Sequence, residues 1–151
     1  MTSKPLSPLA SLQAICAINQ TAFGLDYLQA LAIRCARELG MPYVLIGMPK
    51  PEAPLEILTQ VAVAHGTIIK NFSYALKGTP CEIVMSNRRV CVHANKVATS
   101  FPDDRLLADM GIAAYIGAPI ITPEGHLKGL LVLLDTVENR EPAKLSIIVD
   151  L

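Results

Sequence analysis

The chain has 151 residues, with 13 Lys plus Arg set against 13 Asp plus Glu, so its formal net charge is zero. Charge balance and a pI near neutrality exclude a surface built on basic excess, so no nucleic-acid partner is expected. An apolar fraction of 52% with only 17% charged residues excludes a disordered chain and points to apolar surface covered by a partner subunit or by the rest of a longer protein.

No apolar run approaches the ~20 residues of a membrane-spanning helix, so no membrane partner is expected. The most apolar stretches, residues 112–121 and 130–134, read as buried strands. Lys4 followed by Pro5 and Pro8 is not a signal-peptide pattern. Cys16, Cys35, Cys81 and Cys91 lie in apolar, periodic segments without a CxxC pattern, which reads as reduced, buried thiols of a cytoplasmic protein.

In chain order, Ser7-Pro8 reads as a helix start, followed by Leu9, Leu12, Ile15 and Cys16 at helical spacing. Asp26 is expected to cap a second helix, with Gln29 completing a capping box, Leu28, Leu31, Ala32, Cys35 and Leu39 as its apolar stripe, and Gly40 as its stop. Residues 43–48 and 55–64 read as an antiparallel strand pair, ended by His65-Gly66. Between them residues 49–54 carry Pro49, Pro51 and Pro54, which predicts irregular structure. Thr79-Pro80-Cys81-Glu82 predicts a capped helix with Cys81, Val84 and Met85 on its apolar side. Asn87-Arg88 turns the chain into a short strand over residues 90–93. Asp103 is expected to cap a further short helix, with Leu106, Leu107 and Met110 apolar and Gly111 as its stop. Residues 113–121 and 127–134 predict a hairpin joined by Thr122-Pro123-Glu124-Gly125. Both strands are apolar on both alternating faces, so the sheet must be covered on both sides. Residues 142–151 read as helical, with Leu145, Ile148 and Val149 apolar and no terminating residue, as if the helix continued into another domain.

Three segments carry a family resemblance. Tyr74-Ala-Leu-Lys-Gly-Thr-Pro-Cys-Glu-Ile-Val84, Phe101-Pro-Asp-Asp-Arg-Leu-Leu-Ala-Asp-Met-Gly111, and Ala114-Tyr-Ile-Gly-Ala-Pro-Ile120 with Gly129-Leu-Leu-Val-Leu-Leu-Asp135 resemble, in this order, the motifs of bacterial GAF domains. The resemblance implies an α+β fold, an α/β sandwich. A central antiparallel sheet of five or six strands would carry the terminal helices on one face and short helices and loops forming a pocket on the other. It makes residues 1–151 one domain with a core of about 20–137, and residues 138–151 the start of a C-terminal signalling helix. It also implies a small-molecule sensor or dimerisation module attached to an output domain, such as a histidine kinase or diguanylate cyclase, that this chain does not contain.

Several residues invite chemistry. Cys81 at a helix N-terminus would have its thiol pKa lowered by the dipole, yet capping alone accounts for the whole Thr79–Glu82 pattern. Cys91 and His93 share one face of a strand, so a thiol and an imidazole would be neighbours, able to serve a metal, a nucleophile or a bilin attachment, or simply to pack. His65 and His126 have no ligand spacing to Cys91, and neither a metal nor a covalent cofactor is expected. Asn95-Lys96 before Phe101 resembles part of the cyclic-nucleotide GAF motif, but Arg105-Leu106 stands where that motif has acidic residues. One GAF subfamily reduces free methionine sulfoxide with cysteines. Cys81 falls near one of its positions, while residues 102–113 lack the cysteine that thiol attack requires. Asp103-Asp104 beside Arg105 would suit a cation site or a general acid–base pair, yet reads more simply as a cap at Asp103 and a helix-dipole partner at Asp104.

The expectation is therefore a non-enzymatic sensor whose pocket is lined by Tyr74, Cys81, Met85, Cys91, His93, Phe101, Leu106, Met110 and Tyr115. A homodimer through the terminal helices is expected beside it. The alternative is a thiol-dependent free methionine sulfoxide reductase.

Overall fold

In the computed structural model, residues 25–138 are described. The readings of residues 1–24 and 139–151, including both terminal apolar stripes and the Ser7-Pro8 start, lie outside them. Helix α1 (Leu25–Leu39) ends at Gly40, whose φ of 66° is the left-handed turn that a Cβ-bearing residue resists. Asp26 stands inside the first turn of α1 rather than at its cap, where its charge still favours the helix dipole.

Strands β1 (Tyr43–Lys50) and β2 (Ala53–Ala64) form an antiparallel pair. Residues 49–54 are mostly strand, contrary to the reading of three prolines. Lys50 pairs with Ala53 across a two-residue turn, Pro51-Glu52, and the register slips so that Pro49 meets Ile57. That slip places Pro54 in a bulge. Beyond Gly47, β1 has no pairing with the neighbouring strand described below, so Pro49 withdraws its N–H where only one ladder remains. His65-Gly66, both at positive φ, then make the tight primed turn into β3 (Thr67–Ile68).

The middle of the chain runs β4 (Ser73–Ala75), α2 (Pro80–Asn87), β5 (Cys91–His93), α3 (Val97–Ser100) and α4 (Arg105–Asp109). It ends in the hairpin β6 (Ala114–Ile121) and β7 (Leu127–Asp135). The turn is closed by Thr122, whose amide donates to the His126 carbonyl at 2.8 Å while its hydroxyl accepts from the His126 amide at 2.9 Å. Helix α3 has no side-chain cap and opens from Lys96 at φ 53°, so the sequence offered no signal for it. Asp104, not Asp103, caps α4 by accepting from the Leu107 amide.

Among the described residues the strands make one seven-stranded sheet in the order β3-β2-β1-β7-β6-β5, with β4 also beside β2. Every pairing is antiparallel. The count exceeds five or six because β3 and β4 are edge pieces of two and three residues. Alternation along the inner strands feeds two cores. Val44, Ile46, Leu131, Leu133, Ile116 and Ala118 pack with Ala32, Cys35, Ala36 and Leu39 of α1. Leu45, Leu130, Val132, Leu134 and Tyr115 face the opposite way, onto Cys81 and Val84 of α2, Val97 of α3 and Leu107 of α4. The doubly apolar strands are covered on both sides, as their sequence requires.

Candidate functional site

The face opposite α1 gathers side chains from α2, α3, α4, β4, β5 and β6. Helix α2 begins as its sequence dictates. Thr79 accepts the Glu82 amide at 3.3 Å and donates its hydroxyl to the Leu76 carbonyl at 2.6 Å, with Pro80 in the first turn. Glu82 reaches back to the Gly78 amide at 3.4 Å rather than to the cap residue itself. This start holds Cys81 against the sheet, 5% exposed.

Cys81 is the middle of a buried polar chain. Its Sγ lies 3.1 Å from the Tyr115 hydroxyl and 3.4 Å from the Tyr74 hydroxyl. Tyr115 lies flat along β6 over Gly117. A Cβ at Gly117 would meet Val84 Cγ2 at 2.7 Å, Tyr115 Cε1 at 2.9 Å and the Tyr115 hydroxyl itself. The bare backbone of Gly117 thus lets the ring lie down and α2 approach the sheet.

On β5, Cys91 pairs with Gly117 and His93 with Tyr115. Cys91 Sγ stands 3.3 Å from His93 Nε2, so the same-face juxtaposition read from the period of a strand is present. The His93 ring meets Phe101 edge-on, centroids 5.2 Å apart, and lies 6.1 Å from the Tyr115 ring. Met85, Phe101 and Met110 are half-buried against the same core. Leu106 is not among the side chains packed there. Its neighbour Leu107, 2% exposed, occupies the core instead, because the Asp104 cap sets the rotation of α4. Phe72, Leu76, Val84 and Leu107 also belong to this wall. Phe72 is set there by Thr59, whose hydroxyl accepts the Phe72 amide at 2.9 Å and donates to the Asn71 side chain at 2.9 Å. Nothing local in the sequence marks that non-adjacent link.

Burial governs the ionisation of these groups. It pushes the Cys81 thiol up to about 11, with the Tyr115 and Tyr74 hydrogen bonds opposing only in part. Burial raises both phenols well above their ordinary value and raises the Cys91 thiol. It lowers the His93 imidazole. Asp104, half-buried beside Tyr74 and Cys81, is raised by burial against the pull of the Leu107 and Leu106 amides. Tyr74, Cys81, Cys91, His93 and Tyr115 are thus uncharged near pH 7, on a mostly apolar face with the Asp104 carboxyl beside it. Cys81 stays a thiol even at a helix N-terminus, because desolvation outweighs the dipole there. It lacks the thiolate character of a catalytic nucleophile. Among the described residues, no group of three or more His, Cys, Asp or Glu is placed to hold a metal ion, and Cys81 and Cys91 are free thiols. No described helix is long and apolar enough to cross a membrane.

A separate cleft of about 510 Å³ opens on the other side of the sheet, between the end of α1 and the β2–β3 turn, with Arg37, Met41, His65 and Asp135 on its walls. None of the residues expected to bind a ligand lines it.

Sequence and structure comparisons agree with this architecture. The GAF domain family model matches residues 24–146, and the chain belongs to that family of sensory, ligand-binding modules of signalling proteins. No curated protein matches the sequence significantly. Among solved structures, the A. aeolicus nlh2 GAF domain in an inactive state is similar at a TM-score of 0.66 and 15% identity, over 95% of this chain and 85% of that one. The GAF domain from an Acinetobacter phosphoenolpyruvate-protein phosphotransferase is similar at TM-score 0.62 and 16% identity, covering 99% and 89%. A phycocyanobilin-bound GAF domain from a cyanobacterial phytochrome is similar at 0.64 and 16%, covering 97% and 92%. At such identities the likeness is one of fold.

Proposed function

We propose that this domain is a non-enzymatic sensor of a bacterial signalling protein, binding a small, largely uncharged molecule on the face opposite α1. The observation that carries this reading is the half-exposed rim of Tyr74, Met85, Cys91, His93, Phe101 and Met110 around the buried Cys81–Tyr115 pair. Aromatic, thioether and imidazole groups converge there from separate segments with one neutral polar chain among them, the composition of a small-molecule site. The raised Cys81 thiol and the absence of cysteine from residues 102–113 weigh against the sulfoxide reductase alternative.

In this reading the ligand shifts α2 to α4, and the terminal helices pass the shift to an output domain outside this chain, such as a histidine kinase or diguanylate cyclase. The apolar stripes at residues 9–16 and 145–149 pair two copies into a cytoplasmic homodimer. The test is a thermal-shift screen of uncharged metabolites against the full chain. Phycocyanobilin, bound by one structural neighbour, is tested beside them as a ligand that carries carboxylates. A ligand at 100 times its Kd adds about 2.7 kcal/mol of stability. A hit whose shift is lost in Phe101→Ala, with the fold intact, supports the reading. A hit unaffected by that change, or no hit across a broad screen, overturns it.

A further inference from the structure

The Cys91–His93 pair brings together two of the four donors of a tetrahedral metal ion. Its Sγ and Nε2 are 3.3 Å apart on a single strand, both half-buried and both on the face that α2 covers. An ion about 2.3 Å from the sulfur and about 2.0 Å from the nitrogen would subtend an angle of roughly 100° across that gap, close to tetrahedral. The two side chains would have to move only slightly to accept it. The β5–β6 ladder fixes their backbone, and the Phe101 and Tyr115 rings beside His93 limit its swing.

We infer that Cys91 and His93 form a two-ligand site for a thiophilic divalent ion of the zinc class, with its remaining positions open to water or to a small ligand on the same face. Thiolate with imidazole selects such ions over magnesium or calcium, which demand oxygen donors. The bent bite suits an ion without a preference for linear geometry. On binding, the Cys91 thiol proton leaves to solvent and a sulfur–metal bond forms; no electron transfer is involved. This site uses the same face as the proposed sensor but needs no organic ligand, so the two ideas fail separately.

The probe is cobalt(II), which in a thiolate site gives a near-ultraviolet sulfur-to-metal charge-transfer band and visible bands of a tetrahedral ion. The reduced full chain is titrated with cobalt(II) alone and then with zinc(II). The expected result is a band that saturates at a single cobalt per chain and is bleached by zinc. It should vanish in Cys91→Ser, move to much higher cobalt in His93→Gln, and be unchanged in Cys16→Ser and in Cys35→Ser, whose residue lies in the opposite core. Circular dichroism confirms that each variant is folded. No charge-transfer band at saturating cobalt, a band that survives Cys91→Ser, or a titration indifferent to His93→Gln would each overturn the assignment.

Discussion

Gly117→Ala tests how the site is built. The added methyl would sit 2.7 Å from Val84 Cγ2 and 2.9 Å from Tyr115 Cε1, both closer than carbon atoms approach in packed interiors. Replacing glycine in a strand with alanine would otherwise help, by about 0.4–1 kcal/mol through the unfolded chain. Overpacking of a filled core costs about 1–3 kcal/mol, and here neither neighbour can retreat easily. Val84 is fully buried between α2 and the sheet, and Tyr115 is tied to Cys81. The net expectation is a loss of about 1–2 kcal/mol in urea unfolding at unchanged m, or a fall in Tm of about 2–8 °C for a chain of this size. In a Tyr115→Leu background the same substitution should cost less, by about 0.5 kcal/mol or more, because the ring it collides with is gone. Equal cost in both backgrounds, or a stabilised Gly117→Ala protein, would refute the placement of Tyr115 over Gly117.

Other consequences follow from the same geometry. Thr79→Ala removes the α2 cap and leaves the Leu76 carbonyl with only the backbone amide of residue 79, so urea unfolding should show a loss of about 1–2 kcal/mol, with amide exchange fastest in the first turn of α2. The Cys81 thiol, raised in the folded state to about 11 from an ordinary value of 9.0, keeps its proton where the unfolded chain loses it. Its contribution is complete below pH 9 and is lost as pH rises through 11, a change on the order of a few kcal/mol. Wild type should therefore lose more stability over that window than Cys81→Ala does; parallel pH profiles would contradict it. In a timed alkylation with iodoacetamide read by mass spectrometry, half-exposed Cys91 should label well before buried Cys35 and Cys81, and early labelling of Cys81 would count against its place in the core. Light scattering should show a dimer for the wild type and a monomer when Leu9, Leu12 and Ile148 are made charged.

What the sequence disclosed was chiefly local. Thr79-Pro80 and Glu82 contain their own capping instructions, and the strand period puts Cys91 beside His93 without any tertiary knowledge. Doubly apolar β6 and β7 demand two covering layers, which makes the sandwich legible. Where two neighbours could do one job, spacing alone did not choose: Asp103 and Asp104 both suit a cap, and the approach of the Leu107 amide selects Asp104. The same choice turns Leu107 inward in place of Leu106. The prolines at 49, 51 and 54 misled because a two-residue turn and a bulge accommodate them at places the chain alone does not mark. The contact of Cys81 with Tyr115 spans 34 residues, and the need for Gly117 beneath that ring arises only when α2 closes on the sheet. No short-range pattern encodes either.

The methionines supply the most direct test of where a ligand sits. Met85 and Met110 pack at the proposed site, whereas Met41 lies in the opposite core. With methyl-labelled methionine and a compound found by thermal shift, the account predicts that the Met85 and Met110 methyl resonances move on titration while Met41 stays in place. Movement of Met41 alone would put the binding site on the α1 side and contradict it.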